Sequence, residues 1–290
     1  PDHIKQIKAA VRALSPAAPP KDKAIPAARP AAPFQPVPRA EKSRMANALS
    51  RGAFTVSVEL VPPRGFDTQK LIDQARQLRI HGVDLVNIPD GPRASARMSA
   101  LAASMIVLQQ AGIEPILHYA CRDRNLLGMQ SDLLGAHAMG IRNVLLVTGD
   151  PTYAGDYPDA TTVYDVDSIG LTNVVARLNQ GLDIGGQSIG APTAFHIGVA
   201  VNPSAIDPDH ELRRFRYKVE AGAEFAITQP VFDVEALVTF LERSGAPIPI
   251  LASIVPLESL RHAEFLANEV PGVSVSAAVV ERMRQAEAAG

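Results

Sequence analysis

The sequence of 290 residues contains no tryptophan, and its aromatic residues amount to 5%. With so few stacking side chains and a net charge of −2, it offers neither a base-stacking platform nor a positive field for nucleic acid or an anionic membrane. A single cysteine, Cys121, excludes an internal disulfide framework and suits a reducing compartment. No apolar run approaches the ~20 residues needed to span a bilayer, and no signal peptide is read at the start. The expectation is a cytoplasmic protein without membrane or nucleic-acid partners. Phosphate and metal signatures are missing too: there is no Walker loop, no GxGxxG after a strand, no paired cysteines and no HExxH. The histidines are scattered, so no metal site is expected. "DIGGQSIG" (183–190) has glycines but follows a helical pattern and reads as a flexible loop.

Proline, by contrast, is concentrated. Of 24 prolines, eight fall in residues 16–38, interleaved with alanine. Such a stretch cannot build a core, and residues 16–42 read as an extended linker. Ahead of it, "PDHIKQIKAAVRAL" carries Ile4, Ile7, Val11 and Leu14 on one helical face. Residues 1–15 therefore read as the tail helix of a preceding domain, and 43–290 as the main domain.

From residue 54 onward strand-like and helix-like segments alternate. Strand patterns fall at 54–60, 84–90, 114–120, 143–149, 196–202, 225–230 and 248–255. Helical patterns fall at 68–81, 95–111, 123–139, 167–179, 209–221, 233–244, 257–268 and 276–289. Gly82, Gly112, Gly140 and Gly245 stand where helix C-caps belong. Seven β-then-α units with short connections require a parallel sheet, and their number fits a (β/α)8 TIM barrel with only seven strands evident. No eighth strand pattern follows residue 276, so the reading expects either a chain cut before closure or an unusual element in the gap.

In such a barrel the chemistry gathers where strands end. "FTVSVELVPPR" (54–64) alternates apolar and polar residues as a buried strand does, then ends in Glu59 beside two prolines. The second run carries Asn87 and Asp90, and the third ends at His118 with Cys121, Arg122 and Asp123 beyond. The fourth ends Thr148-Gly149-Asp150, the fifth at Asn202, the sixth at Thr228-Gln229. Taken singly, most have a plain reading: Asp150, Asn202 and Asp90 as turn formers, His118 as a core histidine, Gln229 as a loop hydrogen-bonder. Glu59 resists that reading, because a turn has no use for Glu and an unpaired buried carboxylate is costly. The ring as a whole points to a small-molecule site.

"SVELVPPR", "LVTGDP", "KVEAGAEFAITQPVFD" and "SIVPLESLRHAEF", in this order over about residues 54–285, resemble the methylenetetrahydrofolate reductase family. The likeness is nearest to the reductase half of bifunctional proteins with an N-terminal homocysteine S-methyltransferase domain, whose last helix residues 1–15 would be. The resemblance implies a barrel with FAD that uses NADH or NADPH to reduce 5,10-methylenetetrahydrofolate to 5-methyltetrahydrofolate, the nucleotide and the folate taking turns in one pocket. It implies that Glu59 is the general acid that assists opening of the folate's five-membered ring, its pKa raised by burial. Asp150 would lie beside the flavin pyrimidine and accept bonds from the pterin, and Gln229 would contact both folate and nicotinamide. His118, Thr148, Gly149, Tyr164, Asp165, Asp167, Asn202, Glu211 and Lys218 fall on cofactor-binding positions, Lys218 suiting the pyrophosphate. Three positions depart from the pattern. Thr148 replaces an arginine, Gly198 a tyrosine and Asn202 a histidine, changes expected to weaken the FAD site. A homo-oligomer is a further expectation. Two alternatives stay open: a flavin-free folate-binding barrel serving an attached methyltransferase, and a lyase using Glu59 as base on a phosphorylated substrate.

Overall fold

The structure is a computed structural model that describes residues 32–270 and 273–289; the helix read at 1–15 lies outside them. Seven parallel strands run in chain order around one curved sheet: β1 (Ser57–Glu59), β2 (Leu85–Ile88), β3 (Glu114–Ala120), β4 (Asn143–Val147), β5 (His196–Val201), β6 (Phe225–Pro230) and β7 (Ile250–Ser253). Helices α3 (Gln69–Ile80), α4 (Ala100–Ile106), α5 (Leu126–Ala138), α6 (Ser168–Leu178), α7 (Pro208–Glu220), α8 (Val234–Ser244) and α9 (Leu260–Glu269) each follow a strand, α10 (Ala277–Ala289) coming last. This is the TIM-barrel-like α/β architecture that the alternating pattern dictates. The outer edges of β1 and β7 pair with nothing among the described residues. No helix among them is long and apolar enough to cross a membrane.

Side-chain alternation divides the core into two layers. Val86, Ile88, Leu117, Val144, Leu146 and Ile197 face outward and are covered by the helices. Leu85, Ile116, Leu145 and Phe225 face inward and fill the barrel with Met45. Gly82, Gly112, Gly140 and Gly245 all have positive φ, the left-handed backbone a helix C-terminus needs.

The stretch read as linker to residue 42 ends in packed structure, which corrects that boundary. Short helices α1 (Arg39–Lys42) and α2 (Arg44–Ser50) plug the N-terminal end of the barrel. Lys42 Nζ meets Glu224 Oε1 at 2.8 Å, with 5% and 19% of the two side chains exposed, and Ser43 Oγ donates to Asn143 Oδ1 at 2.6 Å. Proline is absent from 39–61, so nothing there forbids helix.

A second correction concerns β1. Phe54 and Val56, read as buried, are 93% and 43% exposed, and the strand is three residues long. The alternation is real, but Phe54 and Val56 precede β1, an edge strand, and no described residue buries them. The loop at 183–190 is also tighter than read. Leu182 bridges Ser188, and Asp183 Oδ1 accepts from Gln187 N at 2.7 Å.

Candidate functional site

The C-terminal rim of the sheet collects most of the residues singled out in the sequence. Ser57 and Glu59 share the inner face of β1, and Glu59 lies in register with Asn87. A short relay runs beneath: Asn87 Nδ2 donates to Ser57 Oγ at 2.8 Å, and Asn87 Oδ1 stands 3.2 Å from His118 Nε2. Burial pushes His118 down to about 4, so its imidazole is neutral at pH 7 and Nε2–H is the donor that this contact requires. The relay orients Asn87 and His118 without placing a charge on the floor.

Glu59 differs from its expected setting. It is exposed at the sheet edge rather than buried, because no strand covers β1 on that side among the described residues. It adjoins a groove of about 810 Å³ formed with α3 and lined also by Val58, Leu60 and Leu78. Desolvation by the surrounding protein still raises its pKa above the carboxylate norm, and no hydrogen bond or ion pair to a described residue opposes that shift. A carboxyl with a raised pKa and no partner is equipped to hand over a proton. Gln229, half-buried at the end of β6, likewise has no side-chain bond to a described residue.

Asp150 is exposed at the end of the β4 turn, where Gly149 adopts φ 97°. A Cβ on Gly149 would come within 3.1 Å of both Ala120 and Arg122 Cβ, a tight fit on a backbone that already strains any other residue. Asp150 Oδ2 accepts from Arg93 N at 2.8 Å. Tyr164 Oη donates toward the carbonyls of Gly149 and Asp150, each at 3.4 Å, and so closes the turn from outside. Asp165 Oδ2 accepts from Leu126 N at 2.8 Å, which makes it an anchor for the start of α5.

The cofactor positions divide into spent and available groups. Thr148 Oγ1 accepts from Ser168 N at 3.2 Å, and Asp167 Oδ1 takes Ile169 N and Gly170 N at 3.0 Å. The first amides of α6 are thus satisfied internally. Asp167 Oδ2 pairs with Arg214 Nη2 at 2.9 Å. Partial burial works to raise the Asp167 pKa, but the Gly170 amide and Arg214 outweigh it and hold it low. Glu211 Oε1 accepts from Asn202 N at 3.0 Å, and Asn202 Oδ1 from Ser204 N at 3.0 Å, both shaping the loop after β5. Lys218 is 6% exposed. Its ammonium donates to Ala200 O at 2.6 Å, which uses one of three donors, and burial lowers its pKa although Glu211 partly opposes that.

Gly198 is not a gap in the site. A Cβ there would lie 2.2 Å from Phe225 Cζ, so the ring of the neighbouring strand fills the volume that a larger residue would need.

What the sequence reading missed is the ion-pair network behind β3. Arg124 bridges Asp90 at 2.7 Å and Asp132 at 3.1 Å, and Tyr119 Oη donates to Asp132 Oδ2 at 2.8 Å. The alternating charges of "CRDRN" (121–125) are the one local signal for it. Cys121 is buried, and burial pushes its thiol up to about 12, so it is an inert core residue.

Residues 44–289 match the family described as methylenetetrahydrofolate reductase. The chain belongs to the methylenetetrahydrofolate reductase family. Methylenetetrahydrofolate reductase 1 of Schizosaccharomyces pombe is 24% identical over 75% of this chain and 36% of its own length. The 5,10-methylenetetrahydrofolate reductase of Pectobacterium carotovorum is 25% identical over 75% of this chain and 69% of its own length. The chain thus spans about a third of the yeast relative and somewhat over two thirds of the bacterial one. Among solved structures, an uncharacterized protein from Clostridium thermocellum, described as binding two copies of 5-methyl-5,6,7,8-tetrahydrofolic acid, superposes with a TM-score of 0.58 at 16% identity, covering 84% of this chain and 80% of that one. That likeness is one of fold. The reductase family is in keeping with a rim whose polar groups sit at strand ends.

Proposed function

We propose that the chain reduces 5,10-methylenetetrahydrofolate to 5-methyltetrahydrofolate, with FAD held at the rim and NADH or NADPH as electron donor. The observation that carries this reading is Glu59, an inward strand-end carboxyl without a partner among the described residues and with a raised pKa. Its role is to give its proton to the folate nitrogen that leaves when the five-membered ring opens. Gln229, half-buried at the C-terminal end of β6, positions the folate and the nicotinamide in this reading. Asp150 accepts from the pterin's N–H groups with the carboxylate capacity that Arg93 N leaves over.

The residues present fit a flavin. Lys218 keeps two donors of a buried ammonium beyond its Ala200 bond, which suits a diphosphate, and Arg214 stands with Asp167 close by in the fold. Thr148, Gly149, Tyr164, Asp165, Asn202 and Glu211 shape the loops beside it, and His118 stands on β3. When bound, FAD supplies the relay of hydride from the nucleotide to the one-carbon unit. The chain's own residues orient the two ligands and manage the proton.

A second reading is favoured by one specific observation. Thr148 and Asp167 satisfy the α6 amides, leaving a diphosphate fewer donors and favouring a folate-binding barrel without flavin. The absorption spectrum of the purified chain, before and after anaerobic NADH or NADPH, separates the two. A flavin spectrum that bleaches supports the reductase. A protein that stays colourless after incubation with FAD yet binds folate selects the second reading.

The Pro/Ala-rich stretch before residue 39 supports a further part of the proposal: a homocysteine S-methyltransferase domain joined ahead of this barrel and using its product. The edges of β1 and β7, unpaired among the described residues, favour self-association. The low cysteine content suits the cytoplasm.

A further inference from the structure

Arg122 is a charged side chain with 4% exposure at the base of the rim, and it lies against two separate loops. Its Nε and Nη2 hold the Asp123 carboxylate at 2.7 Å each, the bidentate arrangement that fixes a guanidinium plane. Its Nη1 points the other way, to Asp150 O at 3.2 Å and Gly91 O at 3.4 Å. Both loops close on it because both carry glycine where they approach. A Cβ on Gly91 would lie 2.8 Å from Arg122 Nη2, and one on Gly149 would lie 3.1 Å from Arg122 Cβ.

The loop after β2 needs holding. Gly91, Arg93 and Ala94 have φ of 52°, 56° and 49°, and for Arg93 and Ala94 this left-handed backbone is strained unless its surroundings impose it. Arg122 grips the loop at Gly91, and Asp150 Oδ2 grips it at Arg93 N. The carboxylate of Asp150 is therefore oriented twice, through its own carbonyl and through the amide that Arg122 helps to place.

We infer that Arg122 is a positioning residue, clasping the β2 and β4 loops so that the Asp150 carboxylate is presented to the folate in one orientation. Its functional half rests on the reading of Asp150 given above; the clasp itself does not. A neutral side chain of similar length would release both carbonyls, the Arg93 amide would open more often, and Asp150 would lose its set direction without leaving the site.

The test joins two readouts on the whole chain. Amide hydrogen exchange at Arg93 reads the clasp with no ligand present. Binding of 5-methyltetrahydrofolate is then measured for the wild type, Arg122→Met, Asp150→Asn and the double variant. Faster exchange at Arg93 is expected in Arg122→Met, with folate binding weakened about tenfold, the loss of one charge-assisted bond's worth of ordering. The double variant should bind no more weakly than Asp150→Asn alone, because Arg122 acts through Asp150. Arg122→Lys should fall between wild type and Met, since one ammonium cannot keep a bidentate carboxylate and two carbonyls. If Arg122→Met does not fold, the Lys variant carries both readouts. Unchanged exchange, wild-type binding in Arg122→Met, or losses that multiply in the double variant would overturn the inference. A wild-type chain that binds no folate overturns the proposed function instead, and the exchange measurement still decides the clasp.

Discussion

The two ends of the sheet handle polar groups differently. At the N-terminal end most polar groups bind one another: Lys42 with Glu224, Ser43 with Asn143, and Glu224 Oε2 with Ile197 N at 3.1 Å. Only a few buried atoms there, such as Asn143 Nδ2 and His196 Nε2, lack a partner among the described residues. At the C-terminal rim Glu59 and Gln229 have no such partner among the described residues, and the Asp150 carboxylate accepts one backbone amide, leaving most of its capacity open. One end uses its polar groups to fix the plug of the barrel; the other keeps capacity for something that arrives. Removing a charge at the first should therefore cost stability, and removing one at the second should cost chemistry.

The sharpest way to break that contrast is Glu59→Gln. Loss of a general acid should lower folate reduction by roughly 10²–10⁴-fold while the melting temperature holds and NAD(P)H still reduces the flavin. Equal loss in both half-reactions would remove Glu59 from the proton-donor role. In wild type the sign of the pH dependence follows from the raised pKa: folate reduction should fall as pH rises through it, because the acid form is lost.

Lys42→Met tests the opposite end. It leaves Glu224 without its cation in a mostly buried place, which should cost about 3 kcal/mol in denaturant unfolding, with folate affinity unchanged. A smaller loss of ~1–3 kcal/mol is expected for Gly198→Ala, whose Cβ cannot fit beside the Phe225 ring, and Phe225→Leu should recover part of it.

Acid should act on the interior as a whole. Burial pushes His118 and His137 down to about 4 and His196 to about 3. Their folded pKa values lie below the usual 6.5, so the unfolded chain binds more protons between these limits. Stability should thus be full above about pH 6.5 and fall steadily as pH drops toward 4. A melting temperature flat from pH 7 to pH 4 would contradict the neutral state of these rings. The smallest effect is expected from Phe54→Ser, within about 0.5 kcal/mol, since this ring is 93% exposed.

Phe54 also shows where sequence reading stops. Strand β3 falls at 114–120 in both pattern and structure, because a central strand is covered on both faces and its composition must say so. The alternation at 54–60 is just as regular, but burial there depends on a neighbouring strand, which no local pattern encodes. At the rim, Glu59, Asn87, His118, Asp150 and Gln229 were legible because a parallel barrel sends its strand ends to one place. Lys218 was legible as a position, whereas its bond to Ala200 O was not. Arg122 was visible as one more polar residue after β3. Its meaning lies in two glycines, 31 residues before it and 27 after it, which meet only when the sheet has formed.

The Phe225 ring in the space beside Gly198 has a consequence for descent. These two positions face each other across adjacent strands in register, and together they hold one large side chain. Over evolutionary time they should drift as a pair, a bulky residue entering at 198 only after 225 has shrunk. Seen along an alignment of relatives, the two columns would carry a single choice: which of two strands supplies the filling for this layer of the barrel.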